Sequence, residues 1–166
     1  MSESTLTIRR TKSDDWSALR AIRIEALLDT PEAFGSTYAE TMLYSDDEWR
    51  SFASKRCYFL AERDGVVVGM ISGGFNDAQP GTHWLYGMFV TPLDRGTGTA
   101  QALVRSVSEW ARGDGAEELF LQVGSSVARA RAFYEKLGFV PTGDQFALRR
   151  DATLVLLTMK RSLVES

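Results

Sequence analysis

Residues 84–100 read Trp84-Leu85-Tyr86-Gly87-Met88-Phe89-Val90-Thr91-Pro92-Leu93-Asp94-Arg95-Gly96-Thr97-Gly98-Thr99-Ala100. The run from Trp84 to Val90 is apolar and aromatic and of strand length, and Pro92, which supplies no ladder N–H, ends it. After Arg95, Gly96 and Gly98, apolar residues recur at helical spacing as Ala100, Leu103, Val104, Val107, Trp110 and Ala111. A strand therefore feeds a short glycine turn that opens a helix. Such a junction aims unpaired backbone N–H groups and the positive helix end at one point, which suits phosphate. Gly96 and Gly98 have no Cβ, so a ligand can approach the main chain and positive φ is allowed.

Two familiar phosphate loops do not fit. A P-loop closes on a Lys-Ser/Thr pair that is absent here. A dinucleotide fingerprint starting at Gly96 would place Gln101 where a small residue is needed, and this turn lies past the middle of the chain. What remains, Arg95-Gly96-Thr97-Gly98-Thr99-Ala100, resembles the Q/R-x-x-G-x-G/A loop of the GCN5-related N-acetyltransferase (GNAT) superfamily. The strand ending Val90-Thr91-Pro92 agrees with that resemblance. A second stretch, Ala130-Arg131-Ala132-Phe133-Tyr134-Glu135-Lys136-Leu137-Gly138-Phe139, resembles the late helix A-x-x-x-Y-E-K-x-G-F of the same superfamily. The resemblance runs as an order of elements from about Leu6 to Leu163, and is specific at residue level across 84–139. More loosely, Arg23-x-x-Ala26-Leu27 and Pro31-x-Ala33-Phe34-Gly35-Ser36 are similar to a subset of bacterial members.

Composition sets the bounds. The 166 residues, 44% of them hydrophobic, suit one domain over 1–166 with an ordinary core. Cys57 is the only cysteine and His83 the only histidine, so an internal disulfide, a Cys-based zinc site and a His-rich metal site are excluded. No metal is expected. The formal charge of −3, without a long basic run, argues against nucleic acid as partner. The polar first fifteen residues are not a secretory leader, and no apolar run approaches membrane-spanning length. The expectation is a cytoplasmic protein without a membrane partner.

Along the chain, residues 6–10 alternate as a first strand. A helix follows with Trp16, Leu19, Ile22, Ala26 and Leu27 on one face, until Asp29-Thr30-Pro31 breaks it. The aromatic-rich stretch 32–54 holds one short helix around 46–54. Asp64-Gly65, between Tyr58–Arg63 and Val66–Ser72, predicts a hairpin with a two-residue type I′ turn. Residues 73–81 read as a loop. Gly113 and Gly115 stop the long helix, Leu119–Val123 is a central strand, and Val127, Ala130, Phe133, Tyr134 and Leu137 mark the last helix. An irregular strand near 146–149, a turn at 150–151 and a strand at 153–160 complete the chain. The fold class is α/β: a mixed sheet of about seven strands, with helices on both faces and two late strand–helix–strand crossovers.

The resemblance implies a V-shaped splay in that sheet and transfer of an acetyl group from acetyl-CoA to a primary amine. On that basis the amides of Arg95, Gly96, Thr97, Gly98, Thr99 and Ala100 bind the CoA pyrophosphate. The main chain of Met88, Phe89 and Val90 pairs with the pantetheine arm as an added strand. Gly87 marks the bulge that splays the strand. Tyr134 protonates the departing thiolate; a phenol with pKa near ~10 stays protonated at neutral pH. The superfamily usually has Asn seven residues before this tyrosine, where Val127 stands, so Ser125 or Ser126 takes over the hydrogen bond or CoA affinity is weaker.

The general base is less legible. A lysine amine with pKa around ~10.4 costs about 4–5 kcal/mol to deprotonate at pH 7, an α-amine near ~8 only about one. Members often place Glu near the start of the organising strand, where this chain has His83, Trp84 and Leu85. His83 is the candidate by intrinsic pKa, with Glu25, Glu32 and Asp77 behind it. Phe34, Tyr38, Tyr44 and Trp49 either wall an acceptor site or pack the short helix. The acceptor, a small-molecule or protein amine, is open, and a homodimer through the C-terminal strands is compatible with this reading. Two rivals remain: a non-catalytic domain of the same fold that binds acyl-CoA or a partner, and a nucleotide-binding module using the Gly96–Gly98 turn.

Overall fold

The structure, a computed structural model, describes residues 4–31, 34, 36–125, 127–148 and 151–164. Its elements are β1 (Leu6–Arg10), α1 (Trp16–Asp29), α2 (Tyr38–Thr41), α3 (Asp46–Lys55), β2 (Cys57–Arg63), β3 (Val66–Phe75), β4 (His83–Val90), α4 (Thr99–Gly113), β5 (Glu118–Gly124), α5 (Ala128–Lys136), β6 (Val140–Leu148) and β7 (Asp151–Ser162). The seven strands form one mixed sheet in the order β1-β2-β3-β4-β5-β7-β6. Only β4 and β5 pair in parallel, as a strand–helix–strand crossover requires. The sheet thus has the predicted α/β class.

Local chemistry explains most boundaries. Asp64 and Gly65 take φ of 52° and 83°, the two positive values that a type I′ turn needs. Ser45 caps α3 by accepting from the Glu48 N–H, and Glu48 reaches back to the Ser45 N–H. At the end of α4 the Gly115 and Ala116 N–H groups donate to Arg112 and Ala111, with Gly115 at φ 87°.

Adjacent strand residues point to opposite faces, which splits the core in two. Leu60, Met70 and Phe89 pack under α1 and α3 with Leu19, Ile22, Leu27 and Trp49. Their neighbours Ala61, Ile71 and Val90 pack under α4 with Leu103, Val104 and Val107, in a cluster that also takes in Leu121, Tyr134 and Met159. Helices therefore cover both faces. Among the described residues, no helix is long and apolar enough to cross a membrane.

Three features depart from the expectation. β3 runs on through Gly73 and Gly74 to Phe75, where a loop is predicted. A Cβ on Gly73 would lie 2.6 Å from the Trp110 ring, so this glycine admits an indole rather than breaking the strand. β6 begins at Val140, well before position 146; it is the edge strand, where Pro141 is tolerated and Gly143 sits in a register shift. In the second crossover β7 lies between β5 and β6, antiparallel to both. Position 149 and the turn residue 150 lie outside the described residues.

Candidate active site

β4 is bonded along one edge to β3, and that ladder shifts register between Met70 and Ser72, opposite Gly87 and Met88. Gly87 sits at φ 58°, so the bulge falls at the residue whose backbone tolerates it. On its other edge β4 meets β5 through only three pairs, His83–Leu119, Trp84–Phe120 and Leu85–Leu121. Beyond Leu85 both strands continue, to Val90 and Gly124, without pairing. The sheet opens there as a V. Backbone N–H and C=O groups of Met88–Val90 on that edge have no ladder partner from β5, as an inserted extended ligand requires.

The glycine turn closes one end of the opening. Pro92–Asp94 makes a short 3-10 turn after β4, and Gly96 and Gly98 take φ of 81° and 91°. A Cβ on either would meet no protein atom within 4 Å, so these glycines provide backbone conformation and open space rather than packing. Gly98 caps α4 without a side chain, and its carbonyl accepts from the Ala102 N–H. The N–H groups of Thr99, Ala100 and Gln101 precede the first intrahelical bond and have no helical acceptor.

A buried carboxylate holds this turn. Asp94, 6% exposed, accepts from the Arg63 Nε at 2.7 Å, from the Thr99 hydroxyl through a short bond, and from the Thr97 hydroxyl at 3.2 Å. Burial pushes its pKa up, but the Thr99 and Arg63 bonds outweigh it and leave the carboxyl below the usual range. The hydroxyls of Thr97 and Thr99 are thus spent inside the turn, which leaves the main-chain N–H groups of the helix start as its polar groups without a helical acceptor. Arg95 is similarly engaged. Its Nη2 pairs with Asp29 at 2.7 Å and its Nε donates to the Val90 carbonyl at 3.1 Å, tying the turn to the ends of α1 and β4. Two of its five N–H groups serve that tie. Alongside α4, from Gln101 to Arg112, runs a cavity of about 260 Å³ whose rim includes Arg105, Ser108 and Arg161.

Tyr134 reaches the opening from α5. It is 6% exposed, packs edge-on against Phe133 and Phe139, and its hydroxyl lies 4.0 Å from the Met88 Sδ. Burial raises its pKa above the ordinary phenol value, so it is a proton donor and not a phenolate. Val127 begins α5 as its N-cap residue and packs on Gly124. Ser125 is exposed in the turn leaving β5, its N–H bonded to the Val155 carbonyl. Ser126 and Glu32 lie outside the described residues.

His83 is placed elsewhere. It stands at the paired start of β4, five residues before Met88, on the order of 15 Å along the strand. It is buried between Phe75 and Trp110, with Nε2 2.6 Å from Asp114. The structure therefore brings Tyr134, Met88–Val90 and the glycine turn together, and His83 is not with them. Glu25 is exposed on α1 and Asp77 is exposed beyond the end of β3. Sequence reasoning missed Asp94 and Arg63. The only signal was their residue type, an Asp inside the loop motif and an Arg ending the strand before Asp64-Gly65.

A splayed mixed sheet, a glycine turn at a helix start and a tyrosine facing the splay define an acyl-CoA-type transferase fold. Residues 19–139 match the model of the Acetyltransferase (GNAT) family, and the chain belongs to that family. Human N-acetyltransferase 8 is 35% identical over 117 residues, 66% of this chain and 51% of that protein. The mycothiol acetyltransferase of Thermobispora bispora is 30% identical over 129 residues, 75% of this chain and 43% of that protein. The chain spans about half the length of these curated relatives. Among solved structures, yncA of Salmonella typhimurium, determined with its cofactor acetyl-CoA, superposes with a TM-score of 0.77 at 23% identity, covering 98% of this chain and 96% of that one. A GNAT-family acetyltransferase of Streptococcus pneumoniae gives 0.77 at 21%, covering 95% and 99%. These two likenesses are of fold.

Proposed function

We propose that the protein is an acetyl-CoA-dependent N-acetyltransferase acting on a primary amine, in the cytoplasm. The observation that carries this reading is the juxtaposition of the β4 edge at Met88–Val90, which β5 leaves without a ladder, the open glycine turn, and the Tyr134 hydroxyl beside Met88. The turn amides from Arg95 to Ala100 hold the pyrophosphate, with Asp94 and Arg63 fixing the turn beforehand. The β4 main chain takes the pantetheine arm, and an amide there polarises the thioester carbonyl.

The amine nitrogen attacks the carbonyl carbon, the C–S bond breaks, and the amine's surplus proton passes to solvent. Tyr134 gives its hydroxyl proton to the departing sulfur and is reprotonated from water. A thiol pKa near ~8.5 makes the thiolate a tolerable leaving group, so this proton helps without being indispensable. Val127, at the α5 start where relatives of the superfamily motif carry Asn, removes a side-chain donor. We assign the compensating hydrogen bond to Ser125, which lies two residues away in the same turn.

The test is release of free CoA thiol from acetyl-CoA with an amine panel, using wild type and Tyr134→Phe. Amine-dependent release is expected, with kcat lowered roughly 10- to 100-fold in the variant, toward the low side of general-acid effects. Release no faster than from acetyl-CoA without protein, whatever the amine, would favour the non-catalytic acyl-CoA-binding reading. An equal loss of turnover and acetyl-CoA affinity in Tyr134→Phe would make the tyrosine structural.

A further inference from the structure

Arg23, on α1, is a half-buried cation with neutral partners. Its Nη2 donates to the Ser36 hydroxyl at 2.9 Å and its guanidinium lies 4.6 Å from the Phe34 ring centroid. Among the described residues no carboxylate pairs with it; the groups that act on it electrostatically are the phenols of Tyr58 and Tyr44, which favour its charge, and a second cation, Arg56, which opposes it. Burial without a counter-charge is costly, and here it depresses the Arg23 pKa. Its Nη1 lies 2.8 Å from the point a Cβ on Gly87 would occupy. The charge thus abuts the β4 bulge, one residue from Met88 and the Tyr134 hydroxyl.

Arg23 also lines a small cavity of about 70 Å³, with Arg56, Ser36, Trp49 and Tyr58 among its walls. Trp49 is 3% exposed, and its indole N–H is buried without an acceptor among the described residues. Among the described residues, the indole donor has no acceptor and the guanidinium on the same cavity has no carboxylate; the first asks for an acceptor and the second favours one that carries negative charge. The volume is about twice the ~30 Å³ share of one water, which suits a carboxylate. A guanidinium fork matches a carboxylate's two oxygens.

We infer that this cavity binds the carboxylate of the acceptor, so that the amine acetylated belongs to a free amino acid or a small amino-acid conjugate. The inference rests on the acetyltransferase reading above. With the carboxylate on Arg23, an amine one or two carbons away points past Gly87 toward the splay. A lysine inside a protein has no such carboxylate. A polycationic amine meets Arg23 and Arg56 as like charges.

The experiment compares matched acceptors in the thiol-release assay: methionine and phenylalanine against methioninamide and phenylalaninamide, with spermidine as the polycation. The acids are expected to be acetylated with kcat/KM at least tenfold above their amides. Arg23→Lys keeps the charge but loses the fork, and Trp49→Phe keeps an aromatic ring, though a smaller one, and loses the donor. Each should raise KM for the acids roughly tenfold or more, leave kcat nearly unchanged, and leave the amides unaffected. Amides turned over as well as acids, spermidine preferred, or variants that weaken all acceptors alike would overturn the inference. If none of the acids is acetylated while another amine is, the carboxylate site fails and the acetyltransferase reading stands. If acetyl-CoA itself does not bind, the earlier reading fails first and this one falls with it.

Discussion

Asp94 illustrates how one side chain can decide a site it does not touch. It sits inside the phosphate-type turn, yet its carboxylate faces inward to Arg63, Thr97 and Thr99. A carboxylate there would repel an anionic ligand if it were free. Bonded to Arg63 it is neutralised, and the turn's amides are left as the exposed polarity. Asp94→Asn removes the charge and cannot accept from both Arg63 and Thr99, which should cost about 2 kcal/mol at pH 7. For a chain of this size that is a Tm lower by about 4–8 °C, with weaker acetyl-CoA binding. The pH dependence has a definite sign. Because the folded pKa is depressed, the stabilisation is complete above the unfolded value near ~3.9 and lost as pH falls through the folded value. The Tm gap between wild type and Asp94→Asn should therefore be full at pH 6–7 and shrink below pH ~4. A gap that is constant down to pH ~3 would mean that the ion pair contributes nothing.

The glycine turn with the start of α4 is the segment in which a sequence pattern translates most completely into geometry. Gly96 and Gly98 adopt the positive φ that their residue type allows, and the space beside them is open. Gly98→Asp should abolish acetyl-CoA binding, through a strained φ of 91° and a negative charge placed at the helix start. Calorimetric titration checks this, and unchanged affinity would sink the loop assignment. The hairpin at Asp64-Gly65 was equally legible, since two positive φ values leave few other residue pairs. Glycines at 73 and 74 misled for the opposite reason. There the missing Cβ serves a distant indole and ring, Trp110 and Tyr86, that no local pattern reveals. His83 read as a base from its position at the start of the organising strand and its intrinsic pKa; its partner Asp114, 31 residues away, is set by a long-range contact that neither reveals. The Arg63–Asp94 pair, likewise 31 residues apart, was hidden for the same reason.

Across the molecule, the sheet is closed where β4 meets β5 at His83–Leu85 and open from there to Val90, and the two core clusters lie on opposite faces. The opening is where α4, α5 and the α1 side all reach, through the glycine turn, Tyr134 and Arg23 respectively. The order of elements and the class of fold were readable from periodicity and turn residues, because local spacing specifies them. The insertion of β7 between β5 and β6 was not, since strand order depends on long-range pairing. The measurement that bears on all of this is thermal unfolding with acetyl-CoA, CoA or ADP added in turn. At a hundredfold the dissociation constant a ligand should stabilise the fold by about 2.7 kcal/mol, a Tm rise of roughly 5–10 °C. A rise with acetyl-CoA and CoA, and little with ADP, is the predicted result, because the proposed site holds pantetheine on β4 together with pyrophosphate on the turn. No rise with acetyl-CoA, or the same rise with ADP alone, would contradict it.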